Sequence, residues 1–336
     1  MKTIKLKKSE IYFGELVKIT TQGSVLIVSD NNTAPLYLQS LIPLIQSDAV
    51  FTLTLPSGEE NKSFETLQKI LNFAFECGLD RQSTMIALGG GVISDLVGLA
   101  SGLFMRGIEF YNIPTTLLAQ VDASVGGKCG INLPYGKNLI GLFHQPSKVF
   151  ISPLFLQSLP PREFNAGMAE VIKMAVCFSP ALFEKLFDLN SYQLLQIIFE
   201  GVSIKAAIVS KDEKEQNLRS ALNYGHTFGH AIEREQNYQN FLHGEAVSIG
   251  MVMANSLASK LNGFADSKLI QSLLQIYNLP TSYAIKNIDS FFHSLFLDKK
   301  AQNKQIKFIL PKEIGSFDFY FPSKDEIFKT LREFSK

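Results

Sequence analysis

The chain reads as an α/β protein: an N-terminal parallel-sheet domain followed by a mostly helical one. Three observations predict this. Short apolar runs alternate with helical stretches up to about residue 150. A glycine triplet, Gly89-Gly90-Gly91, separates one such run from the helix after it. Beyond Pro160-Pro161 the apolar residues recur at helical spacing almost to the end.

The elements follow in order. Val25-Leu26-Ile27-Val28 is a buried strand that stops at the polar turn Ser29-Asp30-Asn31-Asn32. Phe51 to Leu55 is a second strand, ended by Pro56-Ser57-Gly58-Glu59-Glu60-Asn61-Lys62, and Ser63 caps a helix running through Cys77. Thr84 to Leu88 is a third strand, and a helix from Ser94 to Phe104 follows the triplet. Strands alternating with helices imply a parallel sheet covered on both faces. Residues 1–150 are therefore expected to form a Rossmann-like domain. In residues 151–336, helices are expected over Glu163–Phe178, Ala181–Phe187, Ser191–Val209, His226–Glu235, Glu245–Leu261, Ser267–Tyr277 and Ser290–Leu297. Ile306 to Leu310 and Phe317 to Phe321 suit a small hairpin. There is no internal repeat.

Composition narrows the function classes. A length of 336 residues with 46% apolar content suits two cores. Charged residues are 19% and the net charge is +1, so no general affinity for nucleic acid or an anionic membrane is expected and any attraction for anions must be local. The N-terminal MKTIKLKKSEIYFGEL has no apolar core of a secretory signal. The most apolar window, Met85 to Phe104, is broken by Asp95 and several glycines, so it is not expected to span a membrane. Cys77, Cys129 and Cys177 form neither a CxxC site nor a disulfide framework, and they suit a reducing cytoplasm. Cys129 is expected only to pack.

Several stretches carry chemistry. In Gly89-Gly90-Gly91-Val92-Ile93-Ser94-Asp95 the glycines let backbone approach a pyrophosphate, and the helix start presents free N–H groups. It is not the GxGxxG fingerprint, and a tight strand-to-helix turn is an equal reading. Asp30, at a strand end, suits ribose hydroxyls, and Gly58 to Lys62 offers both charges. The run PTTLLAQVDASVGGKCGINLPYGKNLIGLFHQP, Pro114 to Pro146, follows no single period. It holds a buried-looking Asp122 and two lysines on glycine turns, Gly126-Gly127-Lys128 and Gly136-Lys137-Asn138, which suit an anion pocket. His226 and His230 share a helix face at i, i+4, and His243 follows shortly. Spacing alone selects His226 and His230 as a metal-ligand pair. Glu170 and Lys173, at i, i+3, would ordinarily be a surface ion pair, but Met168, Ala169, Val171, Ile172 and Met174 leave little polar face there. Arg106, Lys128, Lys137, Asn138, Lys173, Lys205, Arg219, Asn223 and the pair Lys299-Lys300 are the candidates for holding a substrate with phosphate and carboxylate groups.

These motifs, in this order over nearly the whole chain, resemble the 3-dehydroquinate synthase family of sugar-phosphate cyclases. The resemblance implies conversion of 3-deoxy-D-arabino-heptulosonate 7-phosphate to 3-dehydroquinate and phosphate, a step of the shikimate pathway to aromatic amino acids. The reaction proceeds by transient oxidation with NAD, β-elimination of phosphate, re-reduction and aldol cyclisation. The resemblance places NAD on Asp30, Asn32, Ser57, Gly58, Glu59, Glu60, Asn61, Lys62, Gly90, Gly91, Val92, Ile93, Ser94, Asp95, Thr115, Thr116, Lys128, Lys137 and Phe155-Leu156-Gln157-Ser158. Ser94 stands where the family usually has glycine. The resemblance departs from spacing in giving the metal, zinc or cobalt, to Glu170, His226 and His243, and His230 to the substrate phosphate. Lys128, Asn138 and Lys299 or Lys300 join His230; Lys205, Arg219 and Asn223 take the carboxylate; Asp122 and Lys173 lie near the reacting centre. Arg106 reaches a neighbouring subunit's site, which implies a homodimer. The loop after Lys300, Ala301-Gln302-Asn303-Lys304, lacks the family's usual glycine. Three other readings compete. Another sugar-phosphate cyclase would alter Lys205, Arg219 and Asn223; a metal-dependent alcohol dehydrogenase would release NADH; a non-catalytic nucleotide-binding module leaves the histidines and Glu170 unexplained.

Overall fold

The computed structural model describes residues 2–189, 194–296, 301–302 and 305–335. It divides into two compact units: Met1–Leu159 with Lys205–Lys214, and Pro160–Ile204 with Glu215–Lys336.

The first unit is built on a seven-stranded sheet in the order Lys2–Leu6, Ser9–Phe13, Lys148–Ile151, Glu109–Pro114, Thr84–Gly89, Val25–Asp30, Val50–Leu55. Every pairing is parallel except the edge pair Lys2–Leu6 with Ser9–Phe13. The two central strands Val25–Asp30 and Thr84–Gly89 are buried at every position, so each feeds two cores. Leu26, Val28, Met85 and Ala87 pack on one face, and Val25, Ile27, Ile86 and Leu88 on the other. That double burial is what a parallel sheet requires. The three strands expected are present. The edge pair, Glu109–Pro114 and Lys148–Ile151 go beyond them. The edge pair is lysine-rich and the last strand has only four residues, KVFI, so neither carries much period.

The chain moves outward from Val25–Asp30 to Val50–Leu55, then returns to lay Thr84–Gly89 on the other side of Val25–Asp30. The strand order therefore reverses between Asp30 and Gly89, at their carboxyl ends. In open α/β sheets that crevice is where ligands bind. The helix Phe64–Glu76 starts at Ser63, whose hydroxyl accepts the Thr66 N–H at 3.3 Å, as expected. The helix Gly91–Leu103 begins at the triplet itself, three residues before Ser94. Pro114 to Pro146 is a short π-helical turn, Ala119–Ala123, followed by the hairpin Lys128–Leu133 with Gly136–Phe143. This explains why no single period fits it.

The second unit is mostly helical: Pro161–Phe178, Pro180–Lys185, His226–Glu235, His243–Leu261, Ser267–Ile276, Ile288–Phe296 and Lys324–Glu333, with the hairpin Phe308–Glu313 and Ser316–Tyr320. The helix Leu194–Lys211 is shared between the two units. Pro161 opens the first helix where its missing N–H costs nothing. That helix is buried without interruption from Ala166 to Cys177, which marks it as a core helix. Lys299 and Lys300 lie outside the described residues. Among the described residues no helix is long and apolar enough to cross a membrane.

Candidate active site

Three helices of the second unit carry the candidate metal ligands, and small residues set their spacing. At Gly244 a Cβ would stand 1.9 Å from the Ala166 carbonyl oxygen, so His243 begins its helix against the helix of Glu170. At Gly250 a Cβ would stand 2.0 Å from the Gly225 carbonyl oxygen, so the two histidine helices meet backbone to backbone. Arg162 clamps the same corner. Its Nε and Nη2 donate to the two Glu245 carboxylate oxygens at 2.7 Å each, and Glu245 accepts the Leu242 N–H at 2.8 Å. Burial pushes the Glu245 carboxyl up, but the guanidinium and the N–H outweigh it and hold it below its ordinary value.

The result is a compact donor set. Ligand atoms of Glu170, His226 and His243 all lie within 4.8 Å of one another. Glu170 is fully buried, and its Oε1 has no hydrogen-bond partner among the described residues. His226 Nε2 stands 3.4 Å from that oxygen and His243 Nε2 3.8 Å. A buried carboxylate oxygen left without a donor is costly, and a divalent cation is the partner that two imidazoles and one carboxylate suit. The residues therefore fit a metal. Each imidazole is oriented through its other nitrogen. His226 Nδ1 faces the Tyr224 carbonyl at 3.2 Å, and His243 Nδ1 faces Glu233 Oε2 at 3.5 Å. A proton on Nδ1 leaves the Nε2 lone pair for a metal. Tyr224 is itself fixed, its hydroxyl donating to Asn255 Oδ1 at 2.5 Å.

His226 and His230 share a face, with ring centroids 5.4 Å apart. The group containing His226, however, takes Glu170 and His243, while His230 groups with Glu233 and His243. Lys173 does pair with Glu170, donating to Oε2, but both are buried. The pair is therefore not a solvated surface contact. Arg219 is buried, and Asn223 Nδ2 donates to Glu215 Oε1 at 2.5 Å.

The first unit holds the expected cofactor residues around the strand ends. Asp30 Oδ1 accepts the N–H groups of Asn32 and Thr33, at 2.9 Å each. Ser57 N–H donates to Asn31 Oδ1 at 3.0 Å, tying two strand ends together. Gly90 precedes a helix with no side-chain cap and no acidic residue in its first turn, so its N–H groups suit a pyrophosphate. Ser94 is buried and bonds Asn112 Oδ1 at 3.1 Å, so the hydroxyl in place of the family's glycine has a partner. Thr115 is buried behind the triplet, its N–H donating to the Gly89 carbonyl at 2.9 Å, and Thr116 Oγ1 accepts the Ala119 N–H at 3.1 Å. Phe155 and Leu156 are buried in the turn Pro153–Ser158; Gln157 and Ser158 are exposed. Lys62 is buried, with Nζ 2.5 Å from Asp95 Oδ2. Burial pulls that ammonium down, but the carboxylates of Asp95 and Glu59 outweigh it and keep it above its ordinary value.

Asp122 is not buried as its surroundings suggested: its side chain is 32% exposed. It accepts from the buried Lys205, whose Nζ lies 2.6 Å from Oδ1 and 2.5 Å from the backbone carbonyl. Lys205 thus belongs to the first unit, and Arg219 and Asn223 to the second. Lys128 and Arg106 are exposed and Lys137 is half-buried. Arg106 stands at φ 69, after Met105 at φ 51.

Sequence reasoning missed Glu233, Glu215 and Asn132. Glu233 lies inside the histidine motif, three residues after His230, and that spacing was the available signal. Glu215 sits in a charged run that reads as solvated loop.

Comparison with known proteins decides the family. Residues 52–166 match the model of the 3-dehydroquinate synthase N-terminal domain and residues 167–301 that of its C-terminal domain. The chain belongs to the 3-dehydroquinate synthase family. It is 54% identical to the 3-dehydroquinate synthase of Helicobacter pylori (strain P12), over 98% of this chain and 97% of that one. It is 52% identical to that of Wolinella succinogenes, again over 98% and 97%. Among solved structures, a 2-deoxy-scyllo-inosose synthase complexed with carbaglucose-6-phosphate, NAD+ and Co2+ superposes with a TM-score of 0.88 at 27% identity, covering 99% of this chain and 100% of that one. The 2-epi-5-epi-valiolone synthase of Streptomyces hygroscopicus subsp. jinggangensis 5008, with NAD+ and Zn2+ bound, gives 0.88 at 25% identity, covering 100% and 99%.

Proposed function

We propose that this member of the 3-dehydroquinate synthase family converts 3-deoxy-D-arabino-heptulosonate 7-phosphate to 3-dehydroquinate and inorganic phosphate, using NAD and one zinc or cobalt ion. The observation that carries the reading is Glu170 Oε1, buried without a hydrogen-bond partner among the described residues and faced by two imidazole Nε2 atoms. Family membership supplies the reaction, and the NAD+ with Co2+ or Zn2+ in the two cyclases of like fold supports the cofactors.

When bound, NAD takes up and returns a hydride, and the metal ion acidifies substrate hydroxyls. The chain's own residues bind, orient and balance charge. Glu170, His226 and His243 hold the metal, with Tyr224 and Glu233 orienting the imidazoles. Lys173 donates to the second Glu170 oxygen and fixes that carboxylate in its buried place. Asp30, Glu59, Lys62, Asp95, Thr115, Thr116 and the helix start at Gly90 to Ser94 hold NAD. Arg219 and Asn223 take the substrate carboxylate, as does Lys205. Asn138, Lys128 and His230 take the phosphate. Lys205 donates to Asp122 Oδ1 and so holds that carboxylate in a fixed place. We further read the protein as cytoplasmic, in keeping with its three free thiols, and as a homodimer in which Arg106 completes the partner's site.

The test supplies the heptulosonate phosphate with a catalytic amount of NAD and follows phosphate release before and after EDTA. The reading expects release without accumulation of reduced cofactor, abolished by the chelator and restored by zinc or cobalt. Stoichiometric NADH would identify a dehydrogenase instead, and equal turnover of a sugar phosphate lacking the carboxylate would identify another cyclase.

A further inference from the structure

Asn132 joins the turn Glu59–Asn61 to the strand Gly136–Phe143 of the first unit, and we infer that it couples cofactor binding to phosphate binding; the inference rests on the proposed function, which gives those two segments different ligands. Asn132 is half-buried in the strand Lys128–Leu133. Its Oδ1 accepts the Asn138 N–H at 2.9 Å. Its Nδ2 donates to Glu59 Oε1 at 2.7 Å and to the Glu59 carbonyl at 3.4 Å. Its backbone N–H donates to the Lys62 carbonyl at 2.8 Å. One amide group therefore engages the Glu59–Asn61 turn on one side and the Gly136–Phe143 strand on the other.

Asn138 depends on that hold. It stands at φ 54, in the left-handed region, where a non-glycine residue persists only when its surroundings fix it. Lys62 closes the ring, its Nζ lying 2.5 Å from both Asn138 Oδ1 and Asp95 Oδ2. Glu59, Lys62 and Asp95 belong to the proposed cofactor set and Asn138 to the phosphate set. NAD that orders Glu59 and Lys62 thereby orders Asn138, and the ordering entropy is spent once for both ligands. The coupling must be reciprocal. Asn132 is thus assigned as a positioning residue, acting through Glu59 and Asn138.

The experiment titrates metal-loaded, full-length protein with NAD in the presence and absence of inorganic phosphate, and measures steady-state kinetics beside it. Wild type should bind NAD about fivefold more tightly with phosphate present. Asn132→Ala should lose that enhancement and raise KM for the heptulosonate phosphate about tenfold, with a smaller change in kcat. Asn132→Asp keeps the acceptor for Asn138 but sets a carboxylate against Glu59, so the enhancement should fall. Adding Glu59→Gln restores a donor and should recover it, a rescue that a purely structural role would not give. Should Asn132→Ala fail to fold, this Asp and Gln pair carries the test. Enhancement persisting in Asn132→Ala, or absent from wild type, overturns the inference. Unchanged NAD affinity in Glu59→Ala together with unchanged KM in Asn138→Ala overturns the residue assignments beneath it. Failure of wild type to release phosphate from the heptulosonate phosphate instead removes the proposed reaction, while the NAD–phosphate titration still reads the link.

Discussion

Glu170 and Lys173 form a buried ion pair one helical turn apart, and the pair leaves Glu170 Oε1 turned toward His226 and His243. One carboxylate thus serves a fixed ammonium with one oxygen and the candidate metal position with the other.

Substitution of Glu170 should therefore separate two effects. Glu170→Gln keeps an acceptor for Lys173 but removes the anionic ligand, so bound zinc, measured by metal analysis after dialysis, should fall sharply in a protein that still folds. Glu170→Ala also strands a buried ammonium, at a cost of roughly 3–5 kcal/mol. Its midpoint in urea should drop as well as its metal content. Full metal occupancy in Glu170→Gln would remove Glu170 from the ligand set.

Glu233 should matter to metal binding without touching the metal. It is buried and faces His243 Nδ1 at 3.5 Å. Losing such a carboxylate partner typically weakens metal binding about 10- to 100-fold. Competition with a chromophoric chelator should show that loss for Glu233→Gln, and an unchanged affinity would leave Glu233 with a packing role.

The glycine crossings should be intolerant. A methyl group at Gly250 would stand 2.0 Å from the Gly225 carbonyl oxygen, so the helices of His226 and His243 must move apart to admit it. Gly250→Ala should cost about 1–3 kcal/mol or more and lower metal affinity, whereas Gly263→Ala, with open space at its Cβ position but a φ of 76, should lower stability through backbone strain alone and leave metal affinity unchanged. Thermal melting with and without metal checks both.

The thiols should differ in reactivity. Burial pushes Cys177 up to about 12 and raises Cys129 as well; Cys77 is only partly buried. At pH 8 a thiol of pKa 12 is ionised to about 1 part in 10^4, and the thiolate is the nucleophile. Native protein treated with iodoacetamide should be labelled at Cys77 first, with Cys129 and Cys177 reacting after unfolding, as peptide mass mapping would show. Fast labelling of Cys129 in the native state would contradict its packing against Gly98, where a Cβ would stand 2.3 Å from its Sγ.

The sequence by itself determined the fold class, the three central strands and most helices of the second unit, though not the last one, Lys324–Glu333. Those elements are read from apolar period and from caps such as Ser63, which are local properties. It also supplied the candidate residues for the chemistry, through motifs that keep their order along the chain. The i, i+4 spacing of His226 and His230 shows where local reasoning stops. Helix geometry puts both on one face, but only the packing of three helices brings Glu170 and His243 to His226, across distances in the chain that no period records. The same holds for Asp122, whose apolar neighbours suggested burial and whose side chain is partly exposed on Lys205. It holds too for Asn132, whose bonds to Glu59 and Asn138 exist only because a hairpin folds back on a strand end. Side-chain chemistry is written in sequence. Which groups meet is decided by burial of apolar faces and by the few glycines, Gly244 and Gly250 foremost, that allow backbones to touch.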